Sequence, residues 1–223
     1  MNYYYLLGLL AFIITMVAQI IVSTRYNKYK NVLNLKNISG FEVAKKILED
    51  NGLNDIYVVE TKGYLSDHYD SANKVIRLSS DVFHGQSVAA CSIAAHEAGH
   101  AIQHKEGNFF INLRKFIFPL VNFSSKFGYI VIVLGLCLGI LQLFYVGIVL
   151  LLTILLFQLV TLPVEFDASR KAMINLEKLN ILEKSEIKDA SRVLKAAAFT
   201  YVASLATTIL EIVRLLLLSR DND

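Results

Sequence analysis

Residues 127–162 read FGYIVIVLGLCLGILQLFYVGIVLLLTILLFQLVTL, 36 positions without one Asp, Glu, Lys or Arg. A membrane-spanning helix needs about 20 mostly apolar residues. The block is therefore too long for one crossing and suits two. Gly139 to Tyr145, with Gln142 inside it, predicts the turn, and so a hairpin of helices at about 127–142 and 144–162. Upstream, Tyr4 to Val22 is a further apolar run whose only strongly polar member is Gln19. Tyr3 to Tyr5 stand where an aromatic belt would lie, and Arg25, Lys28 and Lys30 follow as a stop. A secretory leader fits less well, because no positive charge precedes the run and no small-x-small cleavage site follows it. Downstream, Phe199 to Leu218 carries Glu211 and Arg214, three apart and so on one helix face. A span is preferred there over an interfacial or bundle helix, with the pair facing protein rather than lipid.

The composition agrees. Of the 223 residues 55% are hydrophobic and only 18% charged, with a mean hydropathy of +0.49. Soluble domains carry about 25% charged residues. Disordered and collagen-like chains are excluded. Cys91 and Cys137 lie apart and form no CxxC pair, so neither a disulfide framework nor a cysteine zinc site is supported. A net charge of +3, with no basic block interleaved with aromatics, gives no nucleic-acid partner. The placement of the basic residues says more. Residues 23–126 hold 13 and residues 163–198 hold seven, together 20 of the 22 Lys and Arg. One span, a hairpin and one more span put both stretches on one side, and the positive-inside rule makes that side the cytoplasm. The expected parts are a first span at 1–24, a cytoplasmic part at 25–126, the hairpin at 127–162, cytoplasmic helices at 163–198, and a fourth span with a short tail at 199–223.

Within the polar stretches, Ser39-Gly40-Phe41-Glu42 forms a capping box ahead of a helix that Gly52 stops. Ile56 to Glu60 and Lys74 to Leu78 read as strands, with a polar turn region at 63–73 between them. The second strand could pair with an extended peptide along its edge. From Ser87 a helix runs to about Lys105, with Gly107 as its stop; 165–197 reads as two helices broken near Asn180. The fold class is an α+β membrane protein with about four transmembrane helices.

The helix at 87–105 carries His96-Glu97-Ala98-Gly99-His100. Residues four apart lie one above the other on a helix, about 5–6 Å between Cβ atoms, so two imidazoles can converge on one zinc ion. Glu97, beside the first of them, is placed to take a proton from a zinc-activated water. Gly99 would let another element approach closely. The apolar residues Val88, Ala89, Ile93, Ala94 and Ala95 bury the helix, where imidazoles need partners. His104 shares the face, but positions eight apart are about 12 Å apart along a straight helix, so His96 and His104 cannot bind one ion. His104 reads as structural or as a support to the ligands, and His84 as structural or surface. Glu165 is the candidate third ligand. Following Pro163, it reads in isolation as the first acid of a new helix, favoured by the dipole. With HExxH on the same side of the membrane it reads as a ligand.

These segments resemble a known family. Leu65-Ser66-Asp67-His68-Tyr69-Asp70, then HEAGHAIQH at 96–104, then Leu162-Pro163-Val164-Glu165-Phe166-Asp167-Ala168-Ser169, together are similar to the YugP-type neutral zinc metallopeptidases, bacterial membrane proteases. The resemblance covers nearly the whole chain. It implies a zincin-like core of the gluzincin type, with Glu165 as third ligand and one Zn2+ per chain. A more distant similarity is to HtpX-like and CAAX-prenyl peptidases, which pair HExxH with a downstream E-x-x-x-D. Here Ser169 stands at the position of that Asp, and Asp167 or Ser169 would support the ligands instead. Asp67, His68 and Tyr69 read either as a cleft rim, with Tyr69 or His68 stabilising an oxyanion, or as a hydrogen-bonded polar turn. The implied function is a metalloprotease of the bacterial cell membrane. Its partners would be the lipid bilayer and a peptide or membrane-protein substrate. The rival is a membrane scaffold with a structural zinc closed by a fourth ligand, for which His68 is the loose candidate.

Overall fold

The computed structural model describes residues 3–220. They form seven helices and one small sheet: α1 (Tyr3–Lys30), α2 (Gly40–Asp50), β1 (Tyr57–Thr61), β2 (His68–Asp70), β3 (Val75–Ser79), α3 (Ser80–Phe83), α4 (Val88–Lys105), α5 (Phe109–Leu138), α6 (Leu141–Lys178) and α7 (Lys184–Arg220). Four of these helices, α1, α5, α6 and α7, are long and apolar enough to cross a membrane.

The chain divides into two compact units. Among the described residues, one gathers 3–19, 109–163 and 199–220; the other gathers 20–108 and 164–198. In the first unit the uncharged block turns at Gly139, which has a φ of +66°. Gly135 lets the two helices meet there, since a Cβ on it would lie 2.5 Å from the Phe144 backbone nitrogen. Ile132, Phe144, Ile148, Leu151, Ile212 and Leu215 make this unit's apolar core.

The helices are longer than the hydropathy boundaries. α5 begins at Phe109 and passes through Pro119, and α6 runs unbroken through Pro163 to Lys178. The expectation that Glu165 opens a new helix is therefore corrected: it sits deep inside α6. A proline inside a helix removes one backbone hydrogen bond, but membrane helices tolerate this where neighbouring groups satisfy what is freed. Just after the helix, Asn180, with a φ of +47°, turns the chain while the Ile181 amide donates to the Leu176 carbonyl.

The second unit is built on α4. Ser87 caps it by accepting from the Ala90 amide, and Gly107, at φ +66°, stops it. α2 starts in the capping box of Ser39 and Glu42. Its Val43, Ala44, Ile47 and Leu48 pack with Ala94, Ala95, Ala98 and Ala101 of α4, Ala172 and Leu176 of α6, and Ala190 and Leu194 of α7 in one core. The run of alanines keeps α4 thin, so its neighbours approach closely. The sheet has the order β1-β3-β2, with β1 parallel and β2 antiparallel to β3. Two expectations change here. The stretch expected to be wholly turn contains β2, which a turn held by Asp70 connects to β3; the Asp70 carboxylate accepts from the amides of Ala72 and Asn73. And Val75–Ser79 is the central strand, hydrogen-bonded on both sides, so it offers no edge to a peptide.

Gly99 lies at a close approach of α4 and α6. A Cβ there would lie 2.6 Å from the Ala168 carbonyl oxygen. In an open helix, Gly to Ala gains about 1 kcal/mol. Gly99→Ala is expected to lower the unfolding temperature instead, and Gly99→Val to lower it further, as overpacking costs about 1–3 kcal/mol. Thermal unfolding of detergent-purified protein measures both.

Candidate metal centre

Helical spacing puts His96 and His100 on one face of α4, and the Gly99 crossing brings α6 against that face. Glu165, 2% exposed, fills the gap between the two rings. One of its carboxylate oxygens, Oε2, lies 3.3 Å from His96 Nε2 and 3.5 Å from His100 Nε2. The rings stand nearly perpendicular, at 80°, with centroids 4.7 Å apart. One ligand atom from each of the three residues falls within 4.8 Å of the other two.

Hydrogen bonds behind the rings determine what the front nitrogens can do. Gln103 Nε2 donates to the Val164 carbonyl and to Asp167 Oδ2, both at 2.8 Å. Both amide protons are then used, and the Gln103 oxygen faces His100 Nδ1 at 3.1 Å. An amide oxygen only accepts, so Nδ1 carries the proton. The other ring nitrogen, Nε2, points at the Glu165 carboxylate: protonated it donates to that oxygen, and deprotonated it offers a lone pair to a metal ion. Behind His96, the Ser169 hydroxyl lies 3.3 Å from Nδ1. A buried carboxylate between two imidazoles needs a positive partner, either a proton on a ring or a cation among the three groups. Burial works against a charged His100, but its hydrogen bond to Glu165 and the charges of Glu97 and Glu165 outweigh that and raise its pKa. A divalent cation meets the same demand. At Zn–N distances of about 2.0–2.1 Å, tetrahedral ligand atoms stand about 3.3 Å apart. The spacings of Glu165 from the two nitrogens suit that ion, and so does the donor set of two imidazoles and one carboxylate.

The other candidate residues are dispersed. Glu97, 7% exposed, follows His96 on α4. Asp167 is reached through Gln103 and also pairs with Arg170. His104 lies one turn beyond His100, its Nδ1 3.2 Å from the Tyr69 hydroxyl. Asp67 accepts from the Ser79 amide at 2.7 Å and from its hydroxyl, and burial raises its pKa against those bonds. His68 is exposed, and its Nδ1 bonds the Ser66 carbonyl at 2.8 Å. Residues 67 and 68 thus tie a turn, while Tyr69 reaches α4. The residue that sequence reasoning missed is Gln103. Its signal was available, since it lies three positions after His100 and so on the same helix face.

The profile described as "Putative neutral zinc metallopeptidase" matches residues 4–220. The chain belongs to this zinc metallopeptidase family. It is also 40% identical over 201 residues to the "Putative membrane protease YugP" of Bacillus subtilis (strain 168), covering 90% of this chain and 89% of that protein. No solved structure matches the chain. Family and helices together make this a membrane protein of a zinc peptidase lineage.

Residues that orient metal-binding histidines typically contribute 10–100-fold in affinity. Gln103→Ala is expected to weaken zinc binding by that factor, measured by chelator competition on purified protein.

Proposed function

We propose that the protein is a membrane zinc endopeptidase with a zincin-like core of the gluzincin type. His96, His100 and Glu165 hold one Zn2+ per chain, and Glu97 is the catalytic residue. The observation that carries this reading is the buried Glu165 oxygen set between the two imidazole nitrogens of an HExxH helix. Zinc bound there supplies Lewis acidity, which makes water a usable nucleophile near neutral pH and polarises a carbonyl oxygen. Glu97 takes the proton from the attacking water and hands it to the departing amine as the peptide bond breaks. Gln103 and Ser169 hold the two rings in orientation, and Asp167 holds Gln103.

The polar stretches 25–126 and 163–198 form the working part, and the spans at 1–24, 127–162 and 199–223 anchor it. The concentration of 20 of 22 basic residues in those two stretches supports a site at the cytoplasmic face of a bacterial membrane. The substrate is a peptide or a membrane protein. A structural zinc in a scaffold would favour a closed site with a fourth protein ligand. Among the described residues the cluster offers three donors, and His68 is turned to Ser66. That supports a site with one position left open for reaction.

Glu97→Gln is expected to retain zinc while kcat for a peptide substrate falls by at least about 10²–10⁴-fold. Zinc content and single-turnover cleavage on the detergent-purified pair test this; hydrolysis by the variant at the wild-type rate overturns the assignment. Glu165→Ala is expected to lose stoichiometric zinc, and unchanged metal content in that variant removes the third ligand.

A further inference from the structure

One concavity is lined by His104, one helical turn beyond His100 on α4. It has a volume of about 310 Å³ and lies between α4, the loop from α2 to β1, and β2. That is the small end of the range for ligand pockets and a fit for one large side chain. Two of its lining residues flank His100 in the sequence: Ala101 is next to it, and His104 is four positions on, on the same face of α4. The floor is apolar. Leu53 and Ala101 are buried, and Ile56 is half-buried beside them.

The polar groups of the cleft are largely engaged with one another. On one wall the Tyr69 hydroxyl and His104 Nδ1 are paired at 3.2 Å, so the two rings present much of their carbon surface. At the rim, Lys74 is bound to Asp55 at 2.6 Å, and Lys105 donates to the Asn51 carbonyl. The cations that could draw an anionic group are therefore committed. What remains is an apolar floor with aromatic walls and a neutralised rim, which favours a bulky uncharged side chain over an acidic one.

We propose that this cleft is a specificity subsite for the peptidase reaction assigned above, taking a Leu- or Phe-sized side chain near the scissile bond. The inference rests on that assignment. An extended peptide advances about 3.3–3.4 Å per residue, and one turn of α4 spans about 5.4 Å. A chain held with its carbonyl at the metal and running along α4 thus brings a side chain one or two residues away over the opening. Ile56 is the half-buried apolar residue of the lining, so its size is the natural one to vary.

The test is a set of peptides that differ at a single position, carrying Phe, Leu, Ala or Asp at each place within three residues of the cleaved bond. Wild type is compared with Ile56→Trp and Ile56→Ala. Wild type is expected to favour Phe or Leu over Ala and Asp at one position by 10-fold or more, in the range that apolar pockets achieve. Ile56→Trp is expected to cut the Phe-to-Ala ratio of kcat/KM at that position by about 10-fold. Ile56→Ala is expected to shift the preference from Leu towards Phe. Ratios report the subsite even where a variant lowers total activity, and zinc content shows whether the metal centre is intact. Wild-type ratios kept in both zinc-loaded variants overturn the subsite and leave the peptidase assignment standing. A zinc-loaded wild type that cuts none of the peptides overturns the assignment itself, and the subsite with it.

Discussion

Burying a carboxylate costs several kcal/mol unless charge and hydrogen bonds compensate it, and Glu165 is 2% exposed. Much of the second unit can be understood as the means of meeting that cost. α4 supplies two imidazoles at four-residue spacing, and Gly99 removes the side chain that would hold α6 away from them. α6 must remain helical through Pro163 to present Glu165 from a rigid element rather than a loop. If the helix began after the proline, Glu165 would lie at a fraying end, and its oxygen would not be held 3.3 and 3.5 Å from two ring nitrogens.

The same crossing carries a chain of contacts outward. Asp167 takes one proton of Gln103, the Val164 carbonyl takes the other, and the Gln103 oxygen fixes the His100 tautomer. Farther along, Lys171 reaches both oxygens of Glu106 just past the end of α4. Each contact ties α4 to α6 at a different height, so the angle between the helices is defined by several bonds and not by His96, His100 and Glu165 alone. A metal could therefore enter a largely formed site, which lowers the ordering cost of binding.

The sequence made some of this legible and hid the rest for physical reasons. The uncharged block, the capping box at Ser39, the stop at Gly107 and the HExxH face follow from local rules, and local rules survive folding. The limits of the long helices do not follow from hydropathy, because a helix does not end where its side chains become polar. α5 starts well before the uncharged block, and α6 continues well beyond it. β2 has only three residues, too few for an alternation pattern, and it exists because β3 offers it a partner. The position of β3 at the centre of the sheet is likewise a property of three strands together. Gln103 was visible as a face residue, but its role needed Val164 and Asp167, which arrive from some sixty residues away.

Ser169 shows how the two histidines are treated differently. His96 is backed by a hydroxyl, whereas His100 is backed by an amide that is itself held by a carboxylate. An anionic group directly behind either ring would strengthen that ring as a donor and draw positive charge from the metal. A divalent ion held as proposed, by two neutral rings and one carboxylate, would keep a net charge of about +1, by simple addition of formal charges. A neutral Ser169 behind His96, and Gln103 standing between Asp167 and His100, both fit that charge. Under the proposed function, such weak donation would leave the ion more Lewis acidity for the chemistry assigned to Glu97.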